Sequence, residues 1–455
     1  MKSRKNIEMP RKALVVGMGV SGQAVCEGLL DRGVRVTATD LRDREQFNGT
    51  LDSLEAKGCC LRLGTHRPGD FLSVDQIIVS PGVPLNLEPL QDARGKGIEI
   101  LGELEWAWRQ VARPVVAVTG TNGKTTTTTL IGEILKASGK RVFVGGNIGT
   151  PLSRWLLDGA EADVLVLEVS SFQLDTASRF RPDVGVLLNV TDDHLDRYES
   201  FSAYADSKLS LFARQDGRHT AVVNGDDPVC RARAQEISSG QVLIYSRTDG
   251  PLACTTLGER MATLHIPGMA PYSINLERAA LKGVHNEENI LAASLASAVC
   301  GVLPSVTQEV IERFGGLPHR VEWVRAWRGI DFYDDSKGTN VGAVLKALES
   351  FDRPVLLLLG GRDKLGSYAS LAEAMRAGGK GAFVFGEAAP RIQEALQQAT
   401  PTRSFKDLEG AFHAAVSQAV EGDVVLLSPA CSSFDQYESY ARRGDHFKRL
   451  ADGLC

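Results

Sequence analysis

Residues 120–126 read Gly-Thr-Asn-Gly-Lys-Thr-Thr. They lie between an apolar run, Val115-Val116-Ala117-Val118, and a helical pattern beginning near Thr127. A strand, a glycine-rich turn, a Lys-Thr pair and a helix in that order describe a phosphate-binding loop. Gly120 and Gly123 let backbone N–H groups close on phosphate oxygens, with Thr121 and Asn122 between them. Lys124 supplies a point charge for the terminal phosphates, and Thr125, followed by Thr126, offers a hydroxyl to Mg²⁺. The helix behind the turn presents its positive end to the anion. The motif predicts a chain that uses a nucleoside triphosphate.

Length and charge narrow the class. A chain of 455 residues predicts about three domains. The net charge of −5, with no long basic run, argues against nucleic acid or an anionic membrane surface as partner. No apolar stretch approaches the roughly 18 residues that span a bilayer. The start, Met1-Lys2-Ser3-Arg4-Lys5, is basic, but the apolar run after it covers only Ala13 to Gly17, which reads as a buried strand and not a signal-peptide core. The eight cysteines form no Cys-x-x-Cys pair and read as reduced thiols. These features point to the cytosol.

Three α/β blocks follow one another. The first carries strand patterns at Ala13–Val16, Arg35–Thr39 and Gln76–Val79 and a helical pattern at Gly22–Leu30. The second opens at Pro114 and carries the phosphate loop, then strands at Val164–Leu167, Val184–Leu188 and Thr220–Val223. Short strands and turns are expected over 245–275, and helices over 286–314. The third starts near Leu317 and contains Ile330–Tyr333, Val355–Leu359, Ala382–Phe385 and Val424–Leu427. Alternation of strand and helix predicts parallel sheets, whose ligands collect at the carboxyl ends of the strands.

The residues at those ends carry the remaining chemistry. Gly17-Met18-Gly19-Val20-Ser21-Gly22 fits a dinucleotide fingerprint, with Asp40 placed for a ribose hydroxyl. The motif alone fits a dinucleotide cofactor, another nucleotide-diphosphate substrate, or a bare strand–helix turn. Glu168 ends an apolar strand, where a phosphate-loop protein commonly keeps an acid for its metal. His194 lies on a polar turn, Asp192-Asp193-His194, after another buried strand, and suits a metal only if oxygen ligands supply the rest. Lys208, in Asp206-Ser207-Lys208, reads as an ordinary surface lysine. Arg320 and Lys337 are cations without an obvious acidic helix face to pair with, and read equally well as site residues or as solvated charges.

Together these residues resemble the Mur ligases of peptidoglycan synthesis, which share a central and C-terminal plan with folylpolyglutamate synthetases. The resemblance rests on residues 120–126, Gly145-Gly146-Asn147-Ile148-Gly149, Glu168 to Leu174, Asp193 to Tyr198, His285-Asn286, Gly316 to Arg320, Asp335 to Asn340, and Ser428 to Asp435. The Ser-Ser-Phe-Gln-Leu and Ser-Pro-Ala-Cys segments resemble the D-glutamate-adding branch.

The resemblance implies a three-domain α/β fold. Residues 1–102 would form a Rossmann-like UDP-binding domain, 103–316 a central ATPase-like parallel sheet, and 317–455 a Rossmann-like C-terminal domain. It implies ATP-dependent addition of D-glutamate to UDP-N-acetylmuramoyl-L-alanine through an acyl phosphate, by a cytoplasmic monomer using Mg²⁺ or Mn²⁺. A sister ligase adding another amino acid is the alternative. Thr125, Glu168, His194 and a carbamylated Lys208 would surround metal, and Lys124 would hold ATP phosphates. Asn147 and His194 would face the reacting carboxyl group. Asn286, Arg320 and Asp335 would clamp the nucleotide. Lys337, Thr339, Lys364, Ser433, Phe434 and Tyr440 would receive D-glutamate. Val20, Ser21, Asp40, Leu41, Arg42 and Gly82 would hold UDP, which assigns the first glycine-rich turn to UDP and not to NAD.

Overall fold

The computed structural model describes residues 9–454 apart from 48, 194–196, 238–239, 249–252, 259–260 and 364–366. Its frame is three sheets of the α/β kind, one after another along the chain, and a small antiparallel sheet.

The first sheet is all parallel. Its order is Cys60–Leu63, Arg35–Asp40, Lys12–Val16, Gln76–Val79, Glu99–Gly102. Strand Lys12–Val16 sits where the winding reverses, so the turn Gly17–Gly22 opens at the point where such sheets bind ligands. Gly17 has φ +89, and a Cβ on Gly22 would lie 1.9 Å from the Gly17 carbonyl oxygen, so only glycine permits this strand-to-helix turn.

The central sheet is also all parallel. Its order is Gln241–Tyr245, Thr220–Asn224, Val184–Leu187, Val115–Thr119, Val164–Glu168, Val142–Gly146. Every residue of Val115–Thr119 and of Val164–Glu168 is buried, as expected of strands covered on both faces. Val115–Thr119 lies at this sheet's reversal point, and the phosphate loop emerges from it. The helix behind it runs from Lys124 to Ala137 and so begins three residues before the pattern suggests. Threonine has weak helix propensity, but Thr125 to Thr128 are all buried, and packing overrides propensity here. Leu130, Ile131 and Ile134 pack in one core with Ile290, Leu291 and Leu295 of the helix Val284–Val299. The stretch 245–275 forms the antiparallel sheet Thr255–Gly258, Met261–Leu264, Tyr272–Asn275.

The third sheet is mixed. Its order is Glu322–Trp327, Ile330–Asp334, Val424–Leu427, Val355–Gly360, Gly379–Phe385, Thr402–Phe405. The last five are parallel, and Glu322–Trp327 joins the edge antiparallel through a two-residue hairpin. Arg328 and Gly329, at φ +51 and +73, make the left-handed turn that a tight hairpin favours. The C-terminal sheet is therefore mixed, five parallel strands with one antiparallel edge strand.

Candidate active site

A cavity of about 550 Å³ opens at the carboxyl ends of the central strands, between the central and third sheets. The phosphate loop forms one wall. The Thr121 N–H donates to the Asn189 carbonyl (2.9 Å) and the Asn122 N–H to Asn189 Oδ1 (2.8 Å), so the neighbouring strand end shapes the loop. Gly123, at φ +84, caps the helix; a Cβ there would lie 2.4 Å from Asn289 Oδ1. Lys124 Nζ folds back onto the carbonyls of Gly120 (2.9 Å) and Thr121 (2.7 Å).

Glu168 stands at the end of its strand, 2% exposed. The Asn147 side-chain amide donates to Glu168 Oε1 (2.8 Å), while Oε2 is buried with no hydrogen bond. A buried carboxylate oxygen without a donor is costly unless a cation or proton meets it.

The third domain reaches in from the opposite wall. Lys337 Nζ donates to the Thr125 hydroxyl (2.8 Å), and so does Arg320 Nη2 (3.1 Å). Lys337 also lies over the Tyr440 ring, 5.1 Å from its centroid. Burial, helped by Arg320 and Lys124 and opposed by Glu168, brings the Lys337 ammonium down to about 7. Asp335 moves the other way, up to about 7, because it is buried; Ser428 donates to its Oδ2 at 2.6 Å. Asn340 bridges the walls, with Nδ2 on Asn122 Oδ1 (3.3 Å) and on Asp193 Oδ2 (3.1 Å).

Arg320 is held by a strained segment. His319 and Val321, on either side of it, have φ +65 and +44, conformations that cost about 1–2 kcal/mol each for residues with a side chain. The His319 ring bonds Asp334 Oδ2 through Nδ1 (2.7 Å), its backbone N–H donates to Glu322 (2.7 Å), and Lys448 pairs with Glu322 (2.6 Å). Those contacts hold the turn that aims Arg320 at the phosphate loop.

The cavity therefore gathers Thr121 to Thr126, Asn147, Glu168, Asn286, Arg320, Asp335, Lys337, Thr339 and Tyr440 of the expected set. Gly120 is not part of the lining, but its carbonyl accepts from Lys124 Nζ. Ser433 is buried and Phe434 is 63% exposed, and neither lines the cavity. His194 and Lys364 lie outside the described residues.

The reading of Lys208 as a surface lysine is corrected: it is 2% exposed. Its Nζ donates to the Gly120 carbonyl (2.9 Å) and sits over the Tyr204 ring, 4.4 Å from the centroid. Burial first, and Lys124 second, pull its ammonium well below the usual lysine range.

The residues expected to hold UDP form a separate group at the first sheet. Val20 and Leu41 are 68% and 64% exposed beside the glycine turn, and Ser21 lies in the first turn of the helix Val20–Leu30. Asp40 is not free: Oδ2 accepts from the Met18 N–H (2.7 Å), and Arg42 forks onto both oxygens (3.0 and 2.8 Å). Its role in this structure is to brace the turn and orient Arg42. The Gly82 carbonyl accepts from Arg197 of the central domain (3.3 Å).

Asn289 also lines the cavity and is not in the expected set. Asn289 bonds Thr127 through Oδ1 (3.1 Å) and Asn286 through Nδ2 (3.4 Å). Its signal was available, an Asn three residues beyond Asn286 on the same helical face. Asn340, the last residue of the Asp335 to Asn340 segment, lines the cavity as well.

The donor set suits a nucleoside triphosphate with a hard cation. Lys124, Arg320 and Lys337 converge on one cavity at a helix N-terminus, and the orphaned Glu168 oxygen and the Thr125 hydroxyl are oxygen ligands of the kind magnesium takes.

Comparison with known proteins agrees along the whole chain. Family profiles described as Mur ligase MurD-like, N-terminal domain, Mur ligase middle domain, and Mur ligase, glutamate ligase domain match residues 11–102, 118–297 and 319–431. The UDP-N-acetylmuramoylalanine--D-glutamate ligase of Geotalea daltonii is 44% identical over 98% of this chain and 99% of its own. The chain belongs to the Mur ligase family. The ligase of the same name from Desulfosudis oleivorans is also 44% identical, over 97% of each chain. Among solved structures, the fold matches the MurF ligase of Thermotoga maritima, solved in complex with ADP (TM-score 0.60, 18% identity, 92% of this chain and 96% of that one). It also matches UDP-N-acetylmuramate-alanine ligase MurC of the same organism (TM-score 0.59, 18% identity, 97% and 100%). As a Mur ligase the chain has the three-domain α/β plan of those neighbours.

Proposed function

We propose that this Mur ligase adds D-glutamate to UDP-N-acetylmuramoyl-L-alanine at the expense of ATP, in the cytoplasmic synthesis of peptidoglycan precursor. The observation that carries the reading is that Lys124, Arg320 and Lys337 line one cavity with Thr125 and Glu168, with Arg320 and Lys337 reaching the Thr125 hydroxyl from the wall opposite the phosphate loop. The names of the relatives at 41–44% identity support the choice of amino acid. No described helix is long and apolar enough to cross a membrane.

A free carboxylate resists an amine because it lacks a leaving group. In the proposed sequence an acceptor carboxylate oxygen attacks the γ-phosphorus of ATP and ADP departs. The amine of D-glutamate then attacks the carbonyl carbon, loses a proton, and expels phosphate from the tetrahedral intermediate. Bringing ATP, a carboxylate and a dicarboxylate together sets like charges side by side, at about 4 kcal/mol per unit pair 4 Å apart with an effective dielectric near 20. Lys124 holds the phosphates with the backbone of Gly120 to Thr126. Arg320 offsets charge from the opposite wall, while Asn286 and Asp335 fix the nucleotide.

Thr125, Glu168, His194 and Lys208 would hold magnesium, which lowers the charge on phosphoryl oxygens. Asn147 orients the Glu168 carboxylate toward that task and, with His194, faces the reacting carboxyl group. Lys208 serves there as a carbamate. Burial and the neighbouring Lys124 pull its ammonium below the usual lysine range, which favours the neutral amine that carbon dioxide captures.

Lys337, Thr339, Lys364, Ser433, Phe434 and Tyr440 receive D-glutamate. Val20, Ser21, Asp40, Leu41, Arg42 and Gly82 receive UDP, with Asp40 acting through Arg42. Residues 1–102, 103–316 and 317–455 then divide acceptor, ATP and amino-acid binding. Closure between the last two keeps water from the acyl phosphate.

The test is phosphate release with ATP, magnesium and UDP-N-acetylmuramoyl-L-alanine against a panel of amino acids. Release driven by D-glutamate alone supports the proposal. Release driven by L-lysine or diaminopimelate instead would assign a sister ligase.

A further inference from the structure

Arg443 is the largest fully buried side chain among the described residues, at 0% exposure. It lies in the first turn of the last helix, Tyr440–Asp452. Among the described residues no carboxylate lies within ion-pair distance of it. Its partners are four main-chain carbonyls. Nη1 donates to Gly360 (3.2 Å) and Ser432 (3.3 Å), and Nη2 to Ser336 (3.0 Å) and Cys431 (3.0 Å).

Those carbonyls lie at the carboxyl ends of three adjacent strands, in the loops after Ile330–Asp334 and Val424–Leu427 and on the last residue of Val355–Gly360. Ser336 precedes Lys337. Cys431 and Ser432 precede Ser433. Gly360 leads into the segment before Lys364. The backbone is shaped around the guanidinium. A Cβ on Gly361 would lie 2.9 Å from Nη1 and 2.1 Å from the Ser432 oxygen. A Cβ on the next helical residue, Gly444, would lie 2.3 Å from His319 Nδ1 and 2.4 Å from Ser336 Oγ. The helix can bring Arg443 this close only because residue 444 is glycine.

A buried cation bonded to carbonyl dipoles, with its Nε left without a partner, is an expensive arrangement to maintain, and leucine or methionine would fill the space without that desolvation. What a guanidinium adds is a rigid planar fork that fixes several acceptors relative to one another. We infer that Arg443 is a positioning residue for the incoming amino acid, setting the mutual placement of the segments that carry Lys337 and Ser433. The inference rests on the reading of those loops as the D-glutamate site. Arg443 touches no substrate; it acts through the backbone that presents the residues that do.

The test is R443K in the full-length enzyme. Lysine keeps the charge but has a single ammonium that cannot span four carbonyls in a plane. The expected result is a KM for D-glutamate raised about tenfold or more, since a misplacement of about an ångström can cost up to about a hundredfold. The KM values for ATP and the UDP substrate should stay within about twofold. Formation of acyl phosphate from ATP and the UDP substrate, trapped by hydroxylamine as the hydroxamate with release of phosphate, needs no amino acid and should be retained. R443A is the second variant, with its D-glutamate KM lowered again by millimolar guanidinium ion.

A wild-type KM for D-glutamate in R443K would overturn the inference. So would a parallel loss of hydroxamate formation, or failure of both variants to fold, because each assigns the arginine to general stability. If the wild-type enzyme itself shows no D-glutamate dependence, the functional reading fails first. If it does and the variant shows no split, only the role of Arg443 fails.

Discussion

Replacing Gly123 by alanine separates two costs that the phosphate loop avoids. The residue has φ +84, and the left-handed region costs about 1–2 kcal/mol for a residue with a Cβ. The added methyl would also meet Asn289 Oδ1 at 2.4 Å and Leu188 Cδ1 at 3.2 Å. Asn289 must then move, and its 3.1 Å hydrogen bond with Thr127 is lost, for about another 1 kcal/mol. Gly139, after the same helix, has φ +86, and a Cβ added there would meet nothing within 4 Å, so Gly139→Ala reports the backbone cost alone. Thermal unfolding and ATP kinetics should be compared for the two variants. Gly139→Ala should lower Tm slightly and leave the ATP KM unchanged. Gly123→Ala should lower Tm further and raise the ATP KM about tenfold, the equivalent of some 1.4 kcal/mol falling on the bound loop. Indistinguishable behaviour of the two would refute the claim that Gly123 and Asn289 jointly shape the nucleotide site.

Two further outcomes follow from the site. Lys208→Ala should lose most turnover and regain part of it with added short-chain carboxylate; wild-type rates without rescue would remove the carbamate role. His285 lines the nucleotide cavity with Nδ1 buried and unbonded, and burial first, then Lys346, lowers its pKa to about 4. A histidine with a depressed folded value contributes stability above about pH 6.5 that is lost as pH falls through about 4. Wild type should therefore lose about 2–3 kcal/mol more than His285→Asn across that window in urea unfolding; parallel pH profiles would contradict it.

Much of the frame was legible because buried parallel strands are continuous apolar runs. Val115–Thr119 and Val355–Gly360 end in threonine and glycine, and Val424–Leu427 is followed by Ser428, just where a ligand can approach the backbone. Short strands with mixed faces, such as Cys60–Leu63 and Glu99–Gly102, carried no such signal. The antiparallel edge Glu322–Trp327 was hidden because its side chains are half-buried, with Trp323 55% exposed. Burial of cations was the least readable feature. Asp206-Ser207-Lys208 and Arg442-Arg443 look like surface sequence, yet Lys208 and Arg443 are interior, each donating to main-chain carbonyls from distant segments. Only tertiary structure supplies such acceptors.

The central claim is that ATP energy passes into the acceptor carboxyl group. Turnover of UDP-N-acetylmuramoyl-L-alanine labelled with ¹⁸O in both carboxylate oxygens tests it directly. The account predicts one ¹⁸O in each phosphate released and one retained in the new amide. Unlabelled phosphate, formed at the same rate as the amide, would contradict it.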